Sequence, residues 1–462
     1  MYSAKMRQRW KPGFVLAFLL PLALPGQPTP LTLQETVDRA KKVYPTIQVS
    51  RARADAAAAA IRTARTSYLP RVDTLAQINR ATRNNIYGML LQQPVISPIS
   101  GPPVLDNSAS SVFGSAVGML VDWEPFDFGL RKSRVDLAEA SRRRTEAAVV
   151  RSEFEAAAAA ADAYLTILAA QATERSAIAG VERSRAFLNA IDALVRAELR
   201  PGADSAVSRA DLAAAQTQVI RSRQAVAEAK ALLGGLTGAQ PDEIATYDIT
   251  LLTLPENQPP QGGTTANPLL LEQGAAVDEA KARLRTLGHQ WAPRFSVQGT
   301  AYSRGTGARP DFTTLGGANG LAPNYYNWGL GFSVRFPVSD YASIRSQQAE
   351  QAANLRAEEG RYKLVETELE TRRNQALAGL QAAREIAQLT PSRLEAAKAA
   401  LAQAQARYQS GLGTIVEVAD AQRVLTQAEI DDSLARLAVW RAYLAISVAQ
   451  GDLAPFLQAA GR

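Results

Sequence analysis

The sequence predicts a mainly α-helical protein with a small β part, built from one unit that occurs twice. Three observations support this prediction. Apolar residues recur every seven positions on both sides of a glycine turn, four short segments alternate apolar and polar residues, and the two halves of the chain match at a constant offset. Each unit is expected to contain a helix, a pair of strands and a long helical hairpin.

The glycine turn lies near residues 408–414, between two alanine-rich runs. The seven-residue period is carried by Leu380, Ala387, Leu394, Leu401 and Tyr408 before the turn and by Val418, Leu425, Asp432, Val439 and Ile446 after it. Such spacing is typical of coiled coils. The second arm has another apolar row, Val416, Ile430, Leu437 and Leu444, about 200° around the helix from the first. Each helix is therefore expected to have neighbours on opposite sides, as in a curved wall of helices.

The first half begins with a capping box, Thr32-x-x-Glu35, that opens a helix interrupted near Pro45 and ended by Tyr68-Leu-Pro70. Alternating residues then predict strands at 71–79 and 112–123, on either side of a loop rich in Pro, Ser, Gly and Asn. From about residue 130, a helical pattern continues for roughly 70 residues, or ~105 Å. Pro201-Gly202 ends it, and the chain returns in a second helix to about Leu233.

The second half repeats the first. Subtracting 213 from Leu425 and Val439 gives Leu212 and Val226, which hold the same heptad position. The matching strands are expected at 294–302 and 328–336, and a further short strand is expected near 247–252. In the clearest strand, the apolar residues are expected to face lipid and the small or polar residues to face water. The lipid-facing residues are Trp328, Leu330, Phe332, Val334 and Phe336.

Residues 1 to about 26 are expected to form a secretory signal peptide, because basic residues precede an apolar run of about a dozen residues ending at Pro25-Gly26. A membrane anchor is the alternative, but the run is shorter than the ~20 residues that a spanning helix needs. No later segment is apolar enough to span a membrane as a helix. Any membrane part is therefore expected to consist of strands.

Composition argues against several classes of function. With no cysteine and a single histidine, His289, the chain offers neither a thiolate site nor a histidine cluster for a metal, and no cofactor is expected. The net charge of +7 comes from Lys and Arg that alternate with acids along helical runs, so no nucleic-acid partner is expected. Enzymatic activity is not expected, because a hairpin tip offers no buried pocket that would raise the pKa of its paired carboxylates.

The four strands allow two interpretations. They could form two hairpins of a soluble domain, or they could belong to a membrane barrel. Export without spanning helices favours the barrel. Four strands cannot close a barrel alone, because the smallest spanning barrels have about eight strands and an open edge is not stable in lipid. Several chains are therefore expected to share one barrel.

Over essentially the whole mature chain, the sequence resembles the TolC-type outer-membrane efflux proteins. The resemblance is carried by Tyr68-Leu-Pro70, Phe126-Asp-Phe-Gly129, Leu233-Gly-Gly-Leu-Thr-Gly238 and Gly411-x-Gly-Thr-Ile-Val-Glu-Val-Ala-Asp-Ala-Gln422. It implies a homotrimer whose strands form a 12-stranded barrel in outer-membrane lipid. It also implies that the helices form an α-barrel tunnel in the periplasm. A periplasmic adaptor (membrane fusion) protein and a proton-driven or ATP-driven inner-membrane pump are the partners that it implies.

The resemblance also implies site residues at the two hairpin tips. The periplasmic entrance is assigned to Glu417, Asp420, Tyr408 and Asp204, and the adaptor-docking tip to Gly411, Leu412, Gly413 and Thr414. The chain departs from the TolC member of the family at Gly413, where TolC has a basic residue, and at the first tip, which reads Glu198-Leu-Arg-Pro-Gly202 instead of a glycine-led turn. From spacing alone, Glu417 and Asp420 share one face of a helix, and they could also serve only to complement the helix dipole.

The domain organisation follows from the repeat. We expect a signal peptide at 1–26, a first repeat at 27–238 with its tip near 200–204, an equatorial connector at 239–267 and a second repeat at 268–462 with its tip near 408–414. The predicted function is a trimeric outer-membrane duct for efflux or secretion, with either small molecules or a protein as cargo. The alternative is a secreted coiled-coil stalk or adhesin without conduction.

Overall fold

A computed structural model describes residues 30–82, 91, 93–96, 109–246, 250–255, 262–311 and 313–461. The predicted signal peptide lies outside these residues. In chain order, the elements are β1 (Pro30–Leu31), α1 (Leu33–Val43), α2 (Pro45–Thr66), β2 (Arg71–Thr82), β3 (Ser111–Phe126), α3 (Leu130–Arg196), α4 (Gly202–Thr237), β4 (Ala245–Thr246), α5 (Pro268–Gly288), β5 (Arg294–Thr306), β6 (Tyr325–Arg335), α6 (Tyr341–Gln409), α7 (Ile415–Gln450) and α8 (Ala454–Ala460).

The two halves have the same order of long elements. A helix, two strands and a helical hairpin appear as α2-β2-β3-α3-α4 and again as α5-β5-β6-α6-α7. The hairpin arms are similar in length, with 67 and 36 residues in the first half and 69 and 36 in the second. At 1.5 Å per residue, the longer arms extend ~100 Å. The prediction of a mainly helical chain with duplicated long hairpins and four main strands is confirmed.

The start of the first half follows from its caps. The Thr32 hydroxyl accepts a hydrogen bond from the Glu35 backbone amide at 3.2 Å, and the Glu35 carboxylate accepts one from the Thr32 amide at 3.0 Å. This reciprocal pair begins α1, as the sequence predicts. The helix ends at Val43, and α2 begins with Pro45 in its first turn, where proline lacks only an amide that would be unpaired anyway.

The main core lies where both hairpins meet the connector between the halves. Trp440 is 1% exposed and donates from its indole nitrogen to the Thr253 carbonyl at 2.8 Å. Tyr164 is fully buried and donates to the Leu31 carbonyl at 3.0 Å. Phe456 of α8 packs edge-on against the Trp440 ring, with ring centroids 6.2 Å apart. These contacts fix the connector and the C-terminal helix to the middle of the long helices.

The connector differs from the sequence prediction in one detail. A strand was expected near 247–252. Residues 247–249 lie outside the described residues, Thr250–Leu252 is a 3₁₀ turn, and a strand lies just before them at Ala245–Thr246. The strand β4 pairs in parallel with β1, which ends at Leu31 because Thr32 turns to cap α1.

The four long strands form one antiparallel sheet in the order β2-β3-β5-β6. Residues that are directly paired across two strands point to the same face of the sheet. Val121 of β3 pairs with Val72 of β2 and with Gly299 of β5, and Ala301 of β5 pairs with Trp328 of β6. Most of the exposed apolar residues of the strands, among them Val72, Met119, Trp328 and Phe332, therefore share one face. The other face carries Asp73, Gln77, Asn79, Asp122, Gln298, Thr300, Asn327, Ser333 and Arg335.

The last strand exposes its apolar residues strongly in a single chain. Trp328, Leu330, Phe332 and Val334 are 83%, 75%, 66% and 39% exposed, and Phe336, one residue beyond the end of β6, is 64% exposed. Within the described sheet, β2 and β6 each have a neighbour on one side only. None of the described helices combines the length and hydrophobicity that crossing a membrane would require.

Candidate functional site at the hairpin tips

The same turn ends the first arm of both hairpins. After α3, the Leu199 amide donates to the Leu194 carbonyl at 2.9 Å, and after α6, the Leu412 amide donates to the Arg407 carbonyl at 2.8 Å. This is the bond pattern of a helix-ending Schellman turn. The residue before each leucine has a left-handed backbone, with φ 77° at Gly411 and φ 60° at Glu198.

The two turns are equivalent in the repeat, because 411 − 198 = 213. The sequence has Glu198 where the second tip has Gly411, yet Glu198 takes the same left-handed conformation. A residue with a Cβ in this region pays about 1 kcal/mol or more in backbone strain. The first tip therefore has the same turn as the second tip, in a strained form.

Tyr408 and Asp204, predicted from the sequence to lie at the entrance, are in direct contact. The Tyr408 hydroxyl donates to Oδ2 of Asp204 at 2.6 Å, and the Tyr408 side chain is 2% exposed. Asp204 lies in the first turn of α4, where the helix dipole favours a carboxylate. One hydrogen bond thus joins the tip of the second hairpin to the tip of the first, 204 residues earlier in the chain.

Sequence reasoning missed a third member of this cluster, Arg200. Its guanidinium lies 4.4 Å from the centroid of the Tyr408 ring, and its Nη2 donates to the Tyr408 carbonyl oxygen. The Phe187 ring packs edge-on against Tyr408, with ring centroids 5.8 Å apart. The repeat relates Arg200 to Gly413, because 200 + 213 = 413. The first tip therefore has a cation at the position where the second tip has glycine.

The surroundings of Tyr408 keep its hydroxyl protonated. Burial raises the pKa of the Tyr408 phenol, and the hydrogen bond and negative charge of Asp204 raise it further. Together they bring this pKa to about 12. The positive charge of Arg200 acts in the opposite direction. At neutral pH the hydroxyl is therefore a donor to Asp204.

Gly413 has a local reason to be glycine. A Cβ at this position would lie 3.1 Å from the Arg407 Cβ and 3.2 Å from Oε2 of Glu417. Either neighbour would have to move to admit a side chain. The adjoining Leu412 is 74% exposed, so the predicted docking tip presents one apolar side chain to solvent.

Glu417 and Asp420 lie one turn apart at the start of α7 but make different contacts. The Glu417 carboxylate accepts from the Thr414 amide at 3.3 Å, and the Glu417 amide donates to the Thr414 hydroxyl at 3.3 Å, which completes a capping box. Glu417 also lies 3.8 Å from Nε of Arg407, while Asp420 makes no cap and forms an ion pair with Arg423. Glu417 therefore has a capping role in addition to any effect of its charge.

A second carboxylate lies close to this ion pair. Burial raises the pKa of Asp211 on α4, the negative charge of Asp420 raises it further, and the positive charge of Arg423 lowers it. Asp211 and Gln218 on α4 line a cleft of about 330 Å³ together with Gln422 and Arg423 on α7. The acids near the tips thus interact across two helices, which heptad spacing alone could not indicate.

Comparison with known proteins identifies the class of this chain. The sequence profile of the outer membrane efflux protein family matches residues 36–239 and 264–452. The chain belongs to the outer membrane efflux protein family. No curated protein sequence gives a significant match.

Solved structures show the same fold. The CmeC outer membrane channel of Campylobacter jejuni is 15% identical, with 91% of this chain and 85% of that chain covered and a TM-score of 0.75. The outer membrane protein VceC of Vibrio cholerae is 15% identical, with coverages of 91% and 96% and a TM-score of 0.70. The open-state MtrE channel of Neisseria gonorrhoeae is 16% identical, with coverages of 91% and 89% and a TM-score of 0.68.

The predicted family and its outer-membrane location are confirmed, because the matching family is one of outer membrane efflux proteins. Two of these structural neighbours, CmeC and MtrE, are described as outer membrane channels.

Proposed function

We propose that three copies of this chain form one continuous duct, with a shared barrel in the outer membrane and a shared helical tunnel in the periplasm. The observation that carries this proposal is a four-stranded sheet with one apolar face and two edges that lack partners within the described sheet. Lipid cannot hydrogen-bond the backbone at such edges, so the edges need other strands. Three chains would contribute 3 × 4 = 12 strands, above the ~8 of the smallest spanning barrels.

The helices support the same assembly. Within a chain, α4 packs against α3 and α6 packs against α7. Several apolar residues on α4 and α6 remain exposed in the single chain, among them Ile220, Leu232, Leu364, Ile386 and Leu389. Exposed apolar residues along a pair of flanking helices are typical of a surface that a neighbouring subunit covers. A ring of such hairpins would bury them.

The tip cluster supports a closed periplasmic entrance in this conformation. The bond between Tyr408 and Asp204 holds the two hairpins of one chain together at their ends, and Arg200 braces the tyrosine. Opening requires the second hairpin to move away from the first, which breaks this bond. MtrE, which has the same fold, was solved in an open state, and this supports an entrance that opens.

We place both protein partners at the periplasmic end of the duct. A periplasmic adaptor protein is expected to bind the tips, where Gly411 to Thr414 form the turn and Leu412 is exposed. An inner-membrane pump, driven by protons or by ATP, would deliver the cargo through that adaptor. The two repeats at 27–238 and 268–462 and the connector at 239–267 remain our proposed division of the chain.

Light scattering of the purified protein in detergent tests the assembly. We expect a protein mass of three chains after the contribution of the detergent is subtracted. A stable monomer or dimer that still reaches the outer membrane would contradict the proposal. Membrane fractionation of the same preparation shows whether a wrong mass reflects failed export.

A further inference from the structure

A short segment of the loop between β2 and β3 lies on the polar face of the sheet. We call residues 93–96 the inward segment. Val95 and Ile96 are only 5% and 1% exposed and form a small buried cluster with Ala116. Partly buried residues around them are Leu75, Leu120 and Tyr302. All four of these strand residues belong to the polar face, because Leu75 and Tyr302 both pair with Gly118, and Leu120 and Ala116 lie two residues to either side of it.

Hydrogen bonds hold the inward segment in place. The Thr300 hydroxyl, on β5, donates to the Val95 carbonyl at 3.0 Å. The Gln93 side chain accepts from the Val95 and Ile96 amides at 2.6 and 2.8 Å and donates to the Ile96 carbonyl at 2.6 Å. Buried backbone amides and carbonyls need hydrogen-bond partners. The Gln93 side chain supplies these partners from within the segment, so the segment can lie against the sheet.

The inward segment contacts the sheet far from the ends of its strands. Thr300 is the seventh of the 13 residues of β5, counting from Arg294. At about 3.3 Å per residue, the contact lies ~20 Å from the end of the strand that is nearest the helices. A loop that joins the far ends of β2 and β3 thus returns about halfway down the sheet.

We propose that the inward segment narrows the pore inside the outer-membrane barrel, with the buried side chains of Val95 and Ile96 anchoring it to the wall. This inference rests on the proposed function, because the polar face lines a pore only when several chains close a ring. Three copies would place three such segments around one axis, where they occupy part of the cross-section of the pore. A narrowed pore excludes bulky solutes while small ones still pass. The barrel would then restrict entry from outside independently of the periplasmic tips.

A single engineered cysteine can measure this barrier, because the natural chain contains no cysteine. Gln298 is exposed on the polar face, two residues closer to the helices than Thr300. In Gln298→Cys, a small and a bulky membrane-impermeant thiol reagent are added to the outside of intact cells. We expect slow labelling by the bulky reagent, and we expect Val95→Ser/Ile96→Ser to raise that rate several-fold with little effect on the small reagent.

Two further variants make the test specific. Thr300→Val removes the hydroxyl that holds Val95 and should also accelerate bulky labelling, whereas Thr300→Ser should not. Leu321→Ser, in the loop between β5 and β6, is the control for a general loosening of external loops. Equal acceleration by Leu321→Ser, or no acceleration by the Val95→Ser/Ile96→Ser pair in a correctly assembled protein, would overturn the inference.

The same labelling separates this inference from the proposed function. If a lipid-soluble maleimide labels Gln298→Cys but the small impermeant reagent does not, the polar face does not line a water-filled pore. That result would overturn the duct itself, and the constriction with it. Rapid labelling by both impermeant reagents before any change to the segment would retain the duct and reject only the constriction.

Discussion

At the scale of single residues, the phenol of Tyr408 reports whether the tip cluster exists in solution. Its pKa is raised to about 12, first by burial and then by Asp204. Since the folded pKa lies above the usual 10.0, the neutral phenol contributes stability that is complete below pH 10 and is lost as pH rises towards 12. We expect the phenolate absorbance of wild type minus Tyr408→Phe to appear with a midpoint near 12.

Asp204→Asn is the matched control for this titration. It removes the negative charge but keeps an oxygen that can accept the hydrogen bond, so the pKa should fall while the shift from burial remains. A midpoint at the usual value in the wild-type protein would mean that Tyr408 is exposed to water and that the two hairpins are not joined at this point.

At the scale of elements, the two tip turns should respond in opposite directions to substitution. Glu198→Gly relieves a strained backbone and should raise the midpoint of thermal unfolding, while Gly411→Ala introduces strain at φ 77° and should lower it. Each effect is expected to be about 1 kcal/mol. Circular dichroism of the helices measures both. If Glu198→Gly lowers the midpoint instead, the Glu198 side chain makes a contact that outweighs its backbone strain.

The apolar face of β6 gives a second prediction at this scale. Phe332→Arg places a charge where lipid is expected and should cost about 2 to 4 kcal/mol if the residue lies near the middle of the bilayer. Arg335→Ala, on the opposite face of the same strand, is the control and should assemble normally. Quantifying assembled protein in outer-membrane fractions compares the two. Equal yields would place β6 outside the membrane or reverse its faces.

The elements themselves were largely predictable, and their contacts were not. Strand alternation located β2 and β6 to within a few residues, and heptads and caps located α3 and α7, because these patterns are local in sequence. The Arg200 contact joins residues 208 apart and depends on how two hairpins pack. The inward segment carries no periodic pattern, so nothing in its sequence indicates which surface it covers.

At the scale of the whole molecule, the tip acids should influence which ions enter. Three copies of Glu417 and Asp420 would bring six carboxylates near one axis, and their field should attract cations and bind multivalent ones. In planar bilayers, cation selectivity and block by a trivalent cation should weaken in Glu417→Gln/Asp420→Asn. Glutamine can replace glutamate in a capping box, so the change removes charge while it keeps the cap.

The single variants separate the effect of the carboxylate charges on ion selectivity from the role of Glu417 in capping α7. Because Asp420 makes no cap, Asp420→Asn alone should lower selectivity without changing thermal stability, whereas Glu417→Ala should reduce both. Unchanged selectivity in a correctly assembled double variant would assign the entrance to another level of the tunnel and leave Glu417 as a capping residue.

The two unpaired edges of the sheet have a genetic consequence. If β2 of one chain must pair with β6 of the next, a defective edge in one subunit leaves the whole ring open. A chain that folds its helices but cannot close its edge would therefore enter mixed assemblies and disable the normal subunits bound to it. Such an allele should be dominant over the wild type when both are expressed, whereas a deletion of the gene should be recessive.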